Sequence, residues 1–145
     1  MNGTVQVVII NPEGYILGVS RKEDHNDFGL PGGSLEDFDK TAQDGAIRET
    51  FEETGIKISN LQLIYLRSKG GRIGYTYIAQ NYEGDIDYDF EKEPHIVKWL
   101  TFDKLIEGRF GEWNKEVYKS LVDYGIFVKL TDSECGTCYN CKCEK

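Results

Sequence analysis

At 145 residues the chain is long enough to bury one core of its own and short for two domains. Its 25 Asp and Glu against 17 Lys and Arg leave a net charge of −8, which argues against broad electrostatic attachment to nucleic acid or to an anionic membrane. No apolar run approaches the roughly 20 residues of a spanning helix. The N-terminal MNGTVQVVIINPEG lacks the basic region of a signal peptide, so the expected location is the cytoplasm.

Residues 4–10, TVQVVII, are β-branched and read as a strand. Asn11, Pro12, Glu13 and Gly14 signal a turn, and residues 15–20 read as the returning strand of a hairpin. Residues 21–28 are polar and read as a loop, followed by a tight bend at Leu30, Pro31, Gly32 and Gly33. Ala42, Ala46, Ile47 and Phe51 give residues 40–54 the apolar spacing of a helix, and Gly55 suits its stop. Residues 56–67 and 72–82 read as strands around Lys69, Gly70 and Gly71. An acidic loop covers 83–95, and residues 96–100, IVKWL, form a further strand. A short helix at 102–106 and an amphipathic one at 112–124 follow, the latter with Trp113, Val117, Leu121 and Tyr124 in an apolar stripe. This order implies an α+β or α/β/α sandwich occupying residues 1–130, with a cysteine-rich tail at 131–145.

The segment RETFEETGI, residues 48–56, carries the chemistry. Glu49, Glu52 and Glu53 stand three and four residues apart, so a helix places them on one face, where like charges destabilise it. A divalent cation removes that cost, and Mg²⁺ or Mn²⁺, which take hard oxygen ligands, suit three carboxylates. Gly32 and Gly33 let backbone approach the same ion, with the Gly32 carbonyl as a further ligand. Arg48 is placed to orient a carboxylate through a charge-assisted pair. The plain alternative is a solvated acidic helix face.

LPGGSLE at 30–36 followed by RETFEETGI resembles the Nudix box, G-x5-E-x7-R-E-U-x-E-E-x-G-U with U apolar. The resemblance implies an α/β/α sandwich with a mixed sheet and a loop–helix–loop motif. It implies hydrolysis of a nucleoside diphosphate linked to another group, with Glu49, Glu52, Glu53 and the Gly32 carbonyl on the metal and Arg48 orienting them. A glutamate outside the box often ligates metal or acts as base in this family, which points to Glu93, with Glu91 and Glu83 behind it. The chain departs from the box in three ways: the first glutamate position holds Lys40, the Gly33-to-Arg48 interval is one residue longer, and Thr50 stands at an aliphatic position. Asp39 is the expected substitute for the missing glutamate, acting as an N-cap.

Small nucleotide-derived substrates are expected: ADP-ribose, a dinucleoside polyphosphate, FAD or a modified nucleotide. Removal of a 5′ pyrophosphate or cap from RNA is the alternative within the enzymes, and a non-catalytic nucleotide-binding regulator the alternative outside them. Gly32, Gly33 and Arg67 are candidate substrate contacts. Tyr75 is another, either stacking a base or packing in the core. A monomer or homodimer is expected. In the tail, Cys135, Cys138, Cys141 and Cys143 form a C-x2-C-x2-C-x-C cluster. Two readings stay open for it: one compact loop holding Zn²⁺, or a reduced tail without metal.

Overall fold

A computed structural model describes residues 2–86 and 95–132. Glu93, Glu91 and the four tail cysteines, Cys135, Cys138, Cys141 and Cys143, lie outside them. In chain order the elements are β1 (Gly3–Val8), β2 (Ile16–Ser20), β3 (Phe28–Gly29), β4 (Gly32–Ser34), α1 (Ala42–Thr54), β5 (Lys57–Lys69), β6 (Arg72–Glu83), β7 (Val97–Leu100), α2 (Asp103–Ile106) and α3 (Gly111–Asp123). The elements match the sequence expectation closely, but the pairing of the first two strands does not.

The chain does reverse at Asn11–Gly14. Asn11 Oδ1 accepts from the amides of Glu13 (3.1 Å) and Tyr15 (2.9 Å), an Asx-type turn. The two strands then part after a single bridge, Ile10 to Ile16. β1 pairs in parallel with β6 and antiparallel with β4, within a mixed sheet of order β4-β1-β6-β5. β2 pairs antiparallel with β3 and β7 in a second sheet of order β3-β2-β7. The expected hairpin is therefore the seam between two sheets. Every residue of β2 is buried, as is most of β1. Strands buried on both faces need neighbours on both sides to satisfy their backbone, and one hairpin partner does not supply them. The expected bend at residues 30–33 turns at Leu30 and Pro31 from β3 of one sheet into β4 of the other, with Gly32 and Gly33 already in β4.

Strand alternation assigns the two faces of the mixed sheet. Val5, Val7, Tyr77 and Ala79 pack with Ala46 of α1 and with Ile56 and Ile58 in one core. Val8 and Ile78 point the other way, into a second core with Phe102, Leu105, Val117 and Leu121 from the α2–α3 side. The result is an α/β/α sandwich with α1 over one face and α3 over the other. Tyr75 pairs with Val5 and packs against the α1-side core, stacked on Tyr77 with ring centroids 6.3 Å apart.

Thr50 is fully buried in α1, and its hydroxyl has no hydrogen-bond partner. An unsatisfied buried hydroxyl costs roughly 1–3 kcal/mol, and valine has the same shape and a similar helix propensity. Thr50→Val is expected to raise the free energy of unfolding by about 1 kcal/mol. A higher urea midpoint with an unchanged slope is the measurement that checks it.

Candidate active site

The site is built outward from α1. Thr41 caps the helix, its hydroxyl accepting from the Asp44 amide at 3.0 Å, and Gly55 closes it in the left-handed region (φ 79°). Asp39 is therefore not the N-cap. Its carboxylate instead accepts from the Glu36 amide at 2.8 Å, while its own amide returns a bond to the Glu36 carbonyl at 3.0 Å, closing the loop before the helix. That loop sits hard against α1 at Gly45, where a Cβ would come 2.3 Å from Leu35 Cδ2 and 3.0 Å from Asp39 Oδ2. The close approach explains a glycine inside a helix, which otherwise costs about 1 kcal/mol.

Arg48 fixes the carboxylates. Its Nε and Nη2 donate to the two oxygens of Asp39 at 3.0 and 2.8 Å, a bidentate pair. Nη2 also reaches the Ser34 carbonyl at 3.3 Å, and Nη1 reaches Glu49 Oε2 at 3.3 Å and Glu52 Oε1 at 3.2 Å. All five guanidinium N–H groups thus have acceptors. Asp39 is buried, and the hydrogen bonds from Arg48 hold its carboxyl below the usual range. The same bonds raise the pKa of Arg48, so the pair stays charged. Burial pushes Glu49 up; Arg48 opposes the shift, and the charge on Glu52 adds to it.

Two glycines bring the preceding loop onto these carboxylates. The Gly32 amide donates to Glu53 Oε1 at 2.9 Å. At Gly33 a Cβ would lie 2.5 Å from the carboxyl carbon of Glu49, so any larger residue would displace that carboxylate from its place. The three box glutamates do not converge on one point: Glu49 and Glu52 share Arg48, while Glu53 turns to Gly32. Among the described residues no three Asp, Glu, His or Cys side chains form a ready metal cluster. The donor set nevertheless fits a hard divalent cation. It is all carboxylate oxygen on one helical turn, and added positive charge would relieve the half-buried Glu49.

Glu53 opens onto a cleft of about 440 Å³ between the sheets. Its floor includes Thr4 and Gln6 of β1, and Gly32 and Gly33 line the side nearest α1. Arg21 and Asp27 come from the connection between β2 and β3, and Trp113 and Asn114 from α3. Arg21 is the only Lys or Arg in this lining among the described residues, held by Glu23 at 2.6 Å and facing Asp27 at 3.7 Å. Asp27 also accepts from the Arg109 amide at 2.8 Å, tying the two walls together.

Two expected substrate contacts fall outside the lining. Tyr75 is on the α1 face of the sheet, the wrong face for this cleft, because its position opposite Val5 sets its direction. Arg67, opposite Gly74, stacks behind Trp113 with its guanidinium carbon 5.5 Å from the ring centroid. Sequence reading missed Arg21, Asp27 and Asn114, which carry no motif, and assigned Trp113 to core packing. Trp113 does pack: its ring covers Gly74 and its Nε1 donates to Thr76 Oγ1 at 3.3 Å.

The profile of the NUDIX domain matches residues 2–121. The chain belongs to the Nudix hydrolase family. A MutT-like protein of Streptomyces ambofaciens is 31% identical over 106 residues, which are 72% of this chain and 66% of that protein. Among solved structures, MutT from a study of the Aliivibrio salmonicida and Vibrio cholerae proteins superposes with a TM-score of 0.69 at 22% identity, covering 85% of this chain and 98% of its own. An ADP-ribose pyrophosphatase from Streptococcus suis gives 0.60 at 15% identity, covering 92% and 93%. These similarities confirm the Nudix fold, a mixed α+β sandwich. No helix among the described residues is long and apolar enough to cross a membrane.

Asp39→Ala is expected to cost roughly 3 kcal/mol, because it strands the Arg48 guanidinium in a partly buried place. The exposed Lys40→Ala should change stability by less than about 0.5 kcal/mol. Asp39 has a lowered pKa, so its stabilisation is complete above the unfolded value of 3.8 and is lost as pH falls through the folded one. Denaturant unfolding of wild type and variant from pH 7 to pH 3 checks both statements: the gap should narrow toward the acid end.

Proposed function

We propose that this Nudix protein is a divalent-cation-dependent pyrophosphohydrolase that cleaves a nucleoside diphosphate linked to another group. The observation that carries the reading is the meeting of two of the three box carboxylates, Glu53 and Glu49, with the Gly32–Gly33 backbone beside a substrate-sized cleft. Glu49, Glu52 and Glu53 would hold Mg²⁺ or Mn²⁺, with the Gly32 carbonyl as a further ligand. When bound, such an ion neutralises the diphosphate and lowers the pKa of a water.

The chain's own residues supply the rest. Arg48 holds Glu49 and Glu52 in place through one oxygen of each, so their remaining oxygens would be the ones to serve a cation. Arg21, at the cleft wall, is the cation available to the phosphate chain, and Asp27 and Glu23 restrain it. Trp113 offers a flat apolar surface to the nucleoside, while the buried Asn114, its amide donating to the Leu105 carbonyl, holds the wall behind it. Glu93 is the candidate base, since the box carboxylates serve as ligands. The net charge of −8 favours a small substrate over polymeric RNA. Zn²⁺ on Cys135, Cys138, Cys141 and Cys143 would be a separate site, outside this chemistry.

A substrate panel tests the reading: ADP-ribose, a dinucleoside polyphosphate, FAD, modified nucleoside triphosphates and 5′-triphosphorylated RNA, each with Mg²⁺ and with Mn²⁺. Release of AMP, phosphate or pyrophosphate is followed. Turnover should vanish in EDTA, and Glu52→Gln and Glu53→Gln should each lower kcat by about 100-fold with the fold intact. Full turnover in EDTA would overturn the metal role, and nucleotide binding without turnover on any substrate would favour a regulator.

A further inference from the structure

Phe38 is a large aromatic residue left 70% exposed, in a loop segment, DFDK, that is otherwise charged. Burial therefore does not account for it. Its ring lies over the Arg48 guanidinium, 5.1 Å from centroid to Cζ. The five N–H groups around the guanidinium edge already have acceptors, so its flat face is what a further neighbour can use. The same segment is where the chain is one residue longer than the Nudix box between glycine and arginine.

We propose that Phe38 is a positioning residue for the carboxylate cluster. Asp39 pins the guanidinium along its Nε–Nη2 edge, at 3.0 and 2.8 Å. The Nη1 end, which carries Glu49 and Glu52 at 3.3 and 3.2 Å, is the longer-bonded end and the one free to tip out of plane. An aromatic face against the cation resists that tipping and excludes water from one side, strengthening the bonds that remain. The extra residue in the loop lets Phe38 reach over Arg48 while Asp39 keeps its bond to the Glu36 amide. Phe38 acts through Arg48 and is not among the residues that line the cleft. This inference rests on the proposal that Glu49 and Glu52 hold the cation only for its effect on metal binding. The ring's hold on Arg48 stands apart from it.

Two readouts on the full-length, metal-free protein test the idea. Hydrogen exchange of the Arg48 Nε–H, assigned by its loss in Arg48→Lys, is measured by NMR for wild type and for Phe38→Tyr, Phe38→Trp, Phe38→Leu and Phe38→Ala. Mn²⁺ affinity is then measured on the same set by electron paramagnetic resonance. Tyr and Trp, which keep a π face, should match wild type. Leu and Ala should speed Nε–H exchange and weaken Mn²⁺ binding by about two- to five-fold, with an unchanged unfolding midpoint. A leucine variant that behaves like wild type would show that apolar cover alone suffices and overturn the proposal, as would unchanged exchange in Phe38→Ala. Failure of the wild type to bind Mn²⁺ would instead refute the metal role of the glutamates, and the exchange series would still decide the role of the ring.

Discussion

The guanidinium of Arg48 is the constraint on which the site depends. A helix that sets Glu49, Glu52 and Glu53 on one turn carries a built-in repulsion. The fold answers with a cation whose every donor is committed: two to Asp39, one to the Ser34 carbonyl and one each to Glu49 and Glu52. Arginine suits this role where lysine would not, because its donors are fixed in a plane and point to acceptors on three sides. Asp39 is as necessary as Arg48. Without a buried counter-charge on the loop side, the guanidinium would have no reason to stay beneath the carboxylates rather than in water.

The cleft owes its existence to the parting of β1 and β2. Had the first two strands stayed paired, one continuous sheet would leave no crevice between sheets. Instead β1 crosses into the mixed sheet and β2 into the other, and the chain passes between them a second time at Leu30 and Pro31. That second passage delivers Gly32 and Gly33 to the carboxylates of α1. The crevice and the charged cluster are thus consequences of one topological choice, which places the anion-rich helix end beside the cleft.

How much of this was written in the sequence depends on the range of the interaction. The helix, its stop at Gly55 and the common face of the glutamates follow from spacing over a few residues. So does the resemblance to the Nudix box. The N-cap assignment failed because Asp39 and Thr41 are both good caps and differ only in a tertiary partner: Arg48 claims one, leaving the other to the helix. The first hairpin failed because the parallel partner of β1 lies about 70 residues away, in β6, and no local pattern announces it. Tyr75 shows the same limit in one side chain. Alternation told that it shares a face with Tyr77, but only the register with Val5 tells which face. The cleft wall from α3 was equally hidden, since Trp113 at helical spacing looks the same whether it lines a cavity or fills a core.

The segment after α3 gives the fold a further property. Lys129 donates its amide to the Gly14 carbonyl and accepts at its own carbonyl from Phe102, while the Leu130 carbonyl takes the Asp103 amide; Val128 just before them is buried. The first turn of the chain, the start of α2 and the last described stretch are thereby laced together, beyond the point where the family match ends at residue 121. During synthesis the N-terminal strands leave the ribosome first, yet these bonds cannot form until residue 130 has followed. The domain is fastened like a clasp whose tongue is threaded last: a nascent chain stopped a few residues short would carry every strand and helix without the bonds that join its first turn to α2.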